Sequence, residues 1–243
     1  MKYLLQPTTL LTPARASSHL EAAALAALIG ISILYIYAAS ALVFAPTHFA
    51  FLVSEIGPLE SAGALACFGA AGLFLVAFTR SLRSKKYGTA AWLLALALGT
   101  AFLALEEISW GQHIFGFGTP PSIAAINAQG ETNFHNVRAV HSLSHNLGIL
   151  ILFVFFVVVP LLARFNPVAL VFETTRLPIV PLQISALFAY SYALSGALRI
   201  VHALVQKPPL NYGEVDEAAY QLIMLLFAVV TAALAAQDEA PPL

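Results

Sequence analysis

Charge is what this sequence has least of. Asp, Glu, Lys and Arg make up 9% of its 243 residues, whereas 60% are hydrophobic; a soluble globule carries about a quarter charged residues. So little charge cannot coat a water-facing surface, and the chain reads as an integral membrane protein. A formal net charge of −1 leaves no basic surplus to neutralise phosphates, which excludes nucleic acid as a partner. The single cysteine, Cys67, forms no intramolecular disulfide and carries no information on redox compartment. There is no GxSxG elbow, which argues against a serine hydrolase of that kind, and no convincing internal repeat. A small-residue cleavage pattern is also missing after the first apolar segment. With Lys2 and Arg15 before it and Pro46 after it, that segment reads as a retained helix and not a signal peptide.

What the chain does have is long apolar runs. A bilayer core of roughly 30 Å needs about 20 apolar residues per helix, and six segments meet that need: 22–45, 59–79, 90–108, 137–162, 179–203 and 216–236. They predict an all-α, polytopic membrane helix bundle forming a single domain. Pro46, Gly57-Pro58, the Arg80–Lys86 stretch, Asn166-Pro167 and Lys207-Pro208-Pro209 punctuate them. Basic residues set orientation. One side collects Lys2, Arg15, Arg80, Arg83, Lys85, Lys86, Arg164 and Arg176, the other only Arg138, Arg199 and Lys207. Both termini are therefore expected in the cytoplasm, with loops 46–58, 109–136 and 203–215 on the periplasmic side of a bacterial inner membrane.

Acids and histidines divide the opposite way: eight of twelve acids and six of seven histidines fall at the outer ends. A longer outer loop would explain part of this, but many of these residues lie on helix ends. The stretch ETNFHNVRAVHSLSHN (131–146) is the densest. If it is helical, at about 100° per residue, then Glu131, His135, Arg138, His141, His145 and Asn146 share one face. A polar stripe entering lipid must face other helices or a water-filled cavity. Glu131/His135 and His141/His145 are each four residues apart, which stacks side chains about 5–6 Å apart on adjacent turns. These four are the candidate ligands of a divalent metal, zinc foremost, iron or manganese with more carboxylates. A lone HxxxH is more often ordinary hydrogen bonding.

Neighbouring segments add to this face. The third span ends ALEEISWGQH, placing Glu106 and Glu107 near the outer interface as candidate general bases, only one of them facing the fourth helix; an ion pair with Arg138 is the plain alternative. Trp110 and Gln112 follow as candidate substrate contacts, and Trp110 also suits an interfacial anchor. Glycines and Pro120-Pro121 make 111–121 irregular, and 121–128 suits a short stretch on the membrane surface. On the fifth span Tyr192, Ser195, Arg199 and His202 share a stripe, with Arg199 or Arg138 available to an anionic group and Tyr192, Ser195 and His202 to substrate. Asp216 and Glu217 open the sixth helix, where the helix dipole alone accounts for acids. Gly63, Gly69 and Gly72 suit close helix approach.

EEISWGQ (106–112) and GETNFHN (130–136) resemble segments of a family of bacterial multi-pass membrane proteins without an established activity. Glu106, Glu107, Trp110, Gln112, Glu131, Asn133, His135 and Asn136 are the matching positions, and the resemblance implies one site built from both segments. Ser109-x-x-x-His113, Glu131 and His141-x-x-x-His145 are also similar, in order, to the SxxxH, acid and HxxxH of alkaline ceramidases and adiponectin-receptor-like proteins. Those membrane hydrolases bind zinc, but have seven helices with HxxxH near the last. The expected function is a metal-dependent hydrolase or transferase acting on a lipid or lipid-linked substrate at the outer face. A haem- or pigment-binding subunit of an electron-transfer or photosynthetic complex is the alternative, with His145 and His202 as a candidate axial pair. A proton-coupled transporter comes third, because the cytoplasmic half offers almost no polar path. Membrane lipids are the expected partners, with a homo-oligomer or a larger membrane complex left open.

Overall fold

The computed structural model describes residues 14–54, 57–139, 141–205 and 212–237, and the side chains of 14–17, 141–145 and 166 lie outside the described set. The described chain is a helical bundle whose elements are α1 (Ala14–Phe44), α2 (Pro46–Leu52), α3 (Pro58–Arg83), α4 (Tyr87–Glu107), two single turns α5 (Gln112–Phe115) and α6 (Pro121–Ala124), α7 (His141–Phe153), α8 (Val159–Leu162), α9 (Asn166–Thr175), α10 (Leu182–Val205) and α11 (Gly213–Gln237). Five helices are long and apolar enough to cross a membrane: Ser18–Phe44 within α1, α3, α4, α10 and α11. The protein is thus a polytopic helical membrane protein. The expected fourth span begins later than 137. Its apolar part, Asn146–Leu162, is shorter than the others, although α7, a π-helical turn at Val154–Val158 and α8 run on without a break.

That π-helical turn has a local cause. Pro160 has no amide to donate to the Phe156 carbonyl one turn back, and its ring crowds that carbonyl. Widening the helix removes the conflict, and the Val159 amide bonds to the Val154 carbonyl five residues back. The same turn carries Phe156 into the core, where its ring stacks on Phe188 at 5.2 Å and meets Phe227 edge-on at 6.0 Å. Phe74 completes this aromatic centre from α3.

α3 lies along both α4 and α11, α1 lies along α10, and α10 and α11 join the two pairs. Small residues make these approaches close: Ala70, Ala77, Ala97, Ala219 and Ala228 are buried at the seams. Of the three glycines expected to do so, Gly63 and Gly69 meet neighbours on α11, whereas Gly72 has open space around it. The bundle has two unlike ends. Arg80, Arg83, Lys85 and Lys86 mark the α3–α4 turn, where Lys85 takes a left-handed φ of 58°. At the opposite, acidic end lie the C-termini of α4 and α10, the N-terminus of α11 and the long α4–α7 connection.

Candidate functional site

The α4–α7 connection is a knot of buried polar side chains. Ser109, Trp110 and Gly111 have φ of 46°, 56° and 83°, so three consecutive residues turn left-handed where α4 stops. Only glycine adopts this freely, and the two others each cost about 1–3 kcal/mol. At Gly111 a Cβ would also sit 2.8 Å from the Phe115 ring. The reversal is offset by what it positions. Ser109 Oγ donates to Glu131 Oε2 at 2.5 Å, and Trp110 Nε1 donates to Glu106 Oε1 at 2.6 Å.

Two carboxylates organise the knot. Glu106, 4% exposed, also accepts the backbone amides of Phe134 (2.7 Å) and His135 (3.0 Å) on Oε2, with His135 Nδ1 3.4 Å from that oxygen. Glu131, equally buried, accepts Ser109 Oγ, Asn133 Nδ2 at 3.0 Å and His113 Nε2 at 2.6 Å. Asn127, fully buried, donates Nδ2 to the backbone and side-chain oxygens of Asn133 and accepts the amides of Gln129 and Glu131. Gln112 Oε1 accepts from the Thr132 amide at 2.8 Å and from Thr119 Oγ1. Both carboxylates are saturated, so their role is to hold 106–113 against 127–136.

Glu107 points away from the knot. Gln221 of α11 donates to its Oε1 at 2.8 Å, and Gln221 fits only because residue 63 of α3 is glycine: a Cβ there would lie 1.7 Å from its Oε1. Carboxylate oxygens of Glu107, Glu214 and Glu217 lie within 4.8 Å of one another, a spacing compatible with a shared divalent cation. His135 sits between the two acid groups. Burial opposes protonation of its imidazole, but the hydrogen bond to Glu106 and the charges of Glu107 and Glu217 outweigh that and hold its pKa above the ordinary value.

Asp216, one residue before Glu217, faces α10 and α1. It is 1% exposed and accepts Tyr35 Oη (2.8 Å), Ser195 Oγ (2.6 Å) and Arg199 Nη2 (3.4 Å). The Arg199 guanidinium also lies 5.6 Å over the Tyr212 ring, and the His202 ring packs 5.3 Å from the same tyrosine. Beside them an open cleft of about 350 Å³ runs between α7 and α10, lined by Asn146, Ile149, Leu150, Phe153, Tyr192 and Arg199. One turn further along α11, the buried Tyr220 hydroxyl has no hydrogen-bond partner among the described residues.

The stripe expected on a helix over 131–146 is not formed. Residues 131–139 are turns and bends, and α7 starts at His141, because the backbone at 134–135 is taken by Glu106 and Asn127 and Asn133 stabilise turns. Of the expected metal quartet, only Glu131 and His135 lie among the described side chains, and they bond to different partners; the side chains of His141 and His145 lie outside the described residues. Arg138 is exposed and donates to the Ala125 carbonyl at 3.2 Å. Trp110 and Gln112 bind within the knot, while Tyr192 and Arg199 share the cleft and Ser195 lies behind Arg199 on Asp216. Sequence reasoning set Asp216 aside and overlooked Tyr35, Asn127 and the Glu107–Glu214–Glu217 grouping. Gly63 leaves the space that Gln221 fills, but among Ser61, Ala62, Ala64 and Ala66 it does not stand out in the sequence.

Fold and site together define a polytopic membrane protein whose buried acids, Glu106, Glu131 and Asp216, gather at one end of the bundle. No family model, curated protein or solved structure matches this chain.

Proposed function

We propose that the protein is a membrane-embedded, metal-assisted hydrolase or transferase whose substrate is a lipid or lipid-linked molecule with an anionic headgroup. The observation that carries this reading is the cleft between α7 and α10. Ile149, Leu150 and Phe153 offer an acyl-compatible wall, and Asn146, Tyr192 and Arg199 offer donors at its polar edge. Arg199 is held by a buried carboxylate and an aromatic face, yet its side chain is 47% exposed, so it is positioned and still accessible to an anion. Among the described residues, Glu107, Glu214 and Glu217 fit a divalent cation, and their all-oxygen set suits magnesium, manganese or calcium better than zinc. His141 and His145 fall on the first two turns of α7, directly before Asn146, and remain the candidates for a nitrogen-rich site. A cation bound at either place would supply Lewis acidity towards an ester or phosphoester. Arg199 would bind the headgroup and stabilise negative charge as it develops, and Asp216 would keep the guanidinium aimed.

In this reading the layer lies on the periplasmic side of a bacterial inner membrane, which the excess of basic residues at the opposite end supports. The test is reconstitution into vesicles of bacterial lipid extract, with lipid composition followed by mass spectrometry with and without chelator. Metal-dependent change in one anionic lipid class is expected, reduced at least tenfold by Arg199→Ala. An unchanged lipid profile, or turnover unaffected by chelator and by Arg199→Ala, would refute it.

A further inference from the structure

The α4–α7 connection is built inside-out for a loop in water. Its polar side chains point inward: Asn127 is 0% exposed, and Glu131 and Asn133 are 4% exposed, all three hydrogen-bonded within the knot. Its apolar side chains point outward, with Ile114 at 68%, Phe115 at 78%, Ile126 at 53% and Phe134 at 63%. No Asp, Glu, Lys, Arg or His occurs from 114 to 130. Non-helical backbone tolerates membrane depth where its polar groups are satisfied from within; here the Gly116 amide bonds to the Gln112 carbonyl, and the amides of Ile123, Ala124, Ala125, Ile126 and Asn127 bond to the carbonyls of Pro120, Pro121 and Ile123.

The apolar exterior is also continuous with the lipid-facing side of α4. The exposed Phe102 ring, on the last turns of that helix, meets Trp110 edge-on at 5.9 Å, and Trp110 meets Phe134 at 6.4 Å. α4 itself has 21 residues, about 31 Å of helix at 1.5 Å per residue, so it ends at the edge of a bilayer core and the connection folds back from there.

We propose that residues 114–126, with Trp110 and Phe134 beside them, are immersed in the lipid leaflet at the acidic end of the bundle, making this connection a membrane-inserted prong. The occupant of the exposed face is lipid of the protein's own membrane, and the inference is independent of any catalysis in the α7/α10 cleft. The test is a nitroxide placed by Phe115→Cys or Ile126→Cys in a Cys67→Ala background, in proteoliposomes, with Lys85→Cys as the water-exposed reference. Collisions with oxygen are expected to exceed those with a water-soluble nickel chelate at 115 and 126, and the order to reverse at 85. Dominant nickel access at 115 and 126 would place the loop in water. Low access to both relaxants, with spin–spin broadening between labels, would mean that a second copy covers the face; low access without broadening would mean another protein does. Any of these results overturns the proposal. Should the cysteine variants misfold, Trp110 fluorescence in Trp92→Phe protein serves instead: quenching by brominated lipid supports immersion, and quenching by aqueous iodide alone refutes it.

Discussion

Glu106 and Glu107 are neighbours in sequence and opposites in structure. Glu106 turns into the loop knot and is surrounded by donors: an indole, two backbone amides and an imidazole. Glu107, about 100° round the helix, joins two other carboxylates from α11. The contrast extends to the regions they belong to. The knot is closed, with its carboxylates saturated and its backbone pinned. The layer formed by α10, α11 and the end of α4 keeps an exposed guanidinium, an acid trio and an open cleft. Burial and charge alone do not tell the two carboxylates apart; Glu106 is held by donors of the loop, and Glu107 by Gln221 beside two other acids.

Removing the knot's anchor is the strongest way to break that contrast. Glu131→Ala leaves Ser109 and Asn133 buried without their acceptor, and should cost on the order of 3 kcal/mol in reversible unfolding in detergent; a loss below about 1 kcal/mol would mean that the knot is not a structural unit. Gly63→Ala comes next. The added methyl must displace Gln221 from Glu107, at about 1–3 kcal/mol for overpacking, measured in the same way, whereas Gly72→Ala, facing open space, should be neutral or slightly stabilising. Tyr220→Phe removes a buried hydroxyl with no partner among the described residues and should raise stability by about 1 kcal/mol; a drop would show that the hydroxyl is hydrogen-bonded.

The smallest effect is a pH dependence. His135 has its pKa raised in the folded state, so its protonated form is bound more tightly there than in the unfolded chain. Its contribution to stability is complete below the ordinary histidine pKa, about 6.5, and is lost as pH rises through the higher folded value. Thermal midpoints measured from pH 5 to pH 9 should therefore fall across that window in the wild type and change less in His135→Gln. Equal slopes in the two proteins would remove His135 from its place between Glu106 and the acid trio.

Much of this was readable from residues in order. Runs of about twenty apolar residues must span lipid as helices, because every backbone amide needs a partner there, and five of the six expected spans match helices within a few residues apart from the extended start of the first. The gathering of Glu106, Glu107, Arg199 and His202 at one end of the bundle followed from the same runs. What misled was periodicity at 131–139: polar residues at helical spacing lie in turns, where Asn127 accepts the amides of Gln129 and Glu131 and Glu106 those of Phe134 and His135. Periodicity reports a face only where the backbone is already helical.

Class, span positions and the division of charge between the two ends were determined by the sequence itself, since lipid imposes one local rule on every segment. Which acid accepts donors and which meets other acids was decided only in three dimensions. Glu107 meets partners on a helix more than a hundred residues away, as Gln221 is, whereas Glu106 is held by a loop fewer than thirty residues on, and a carboxylate's chemistry is set by what packs against it.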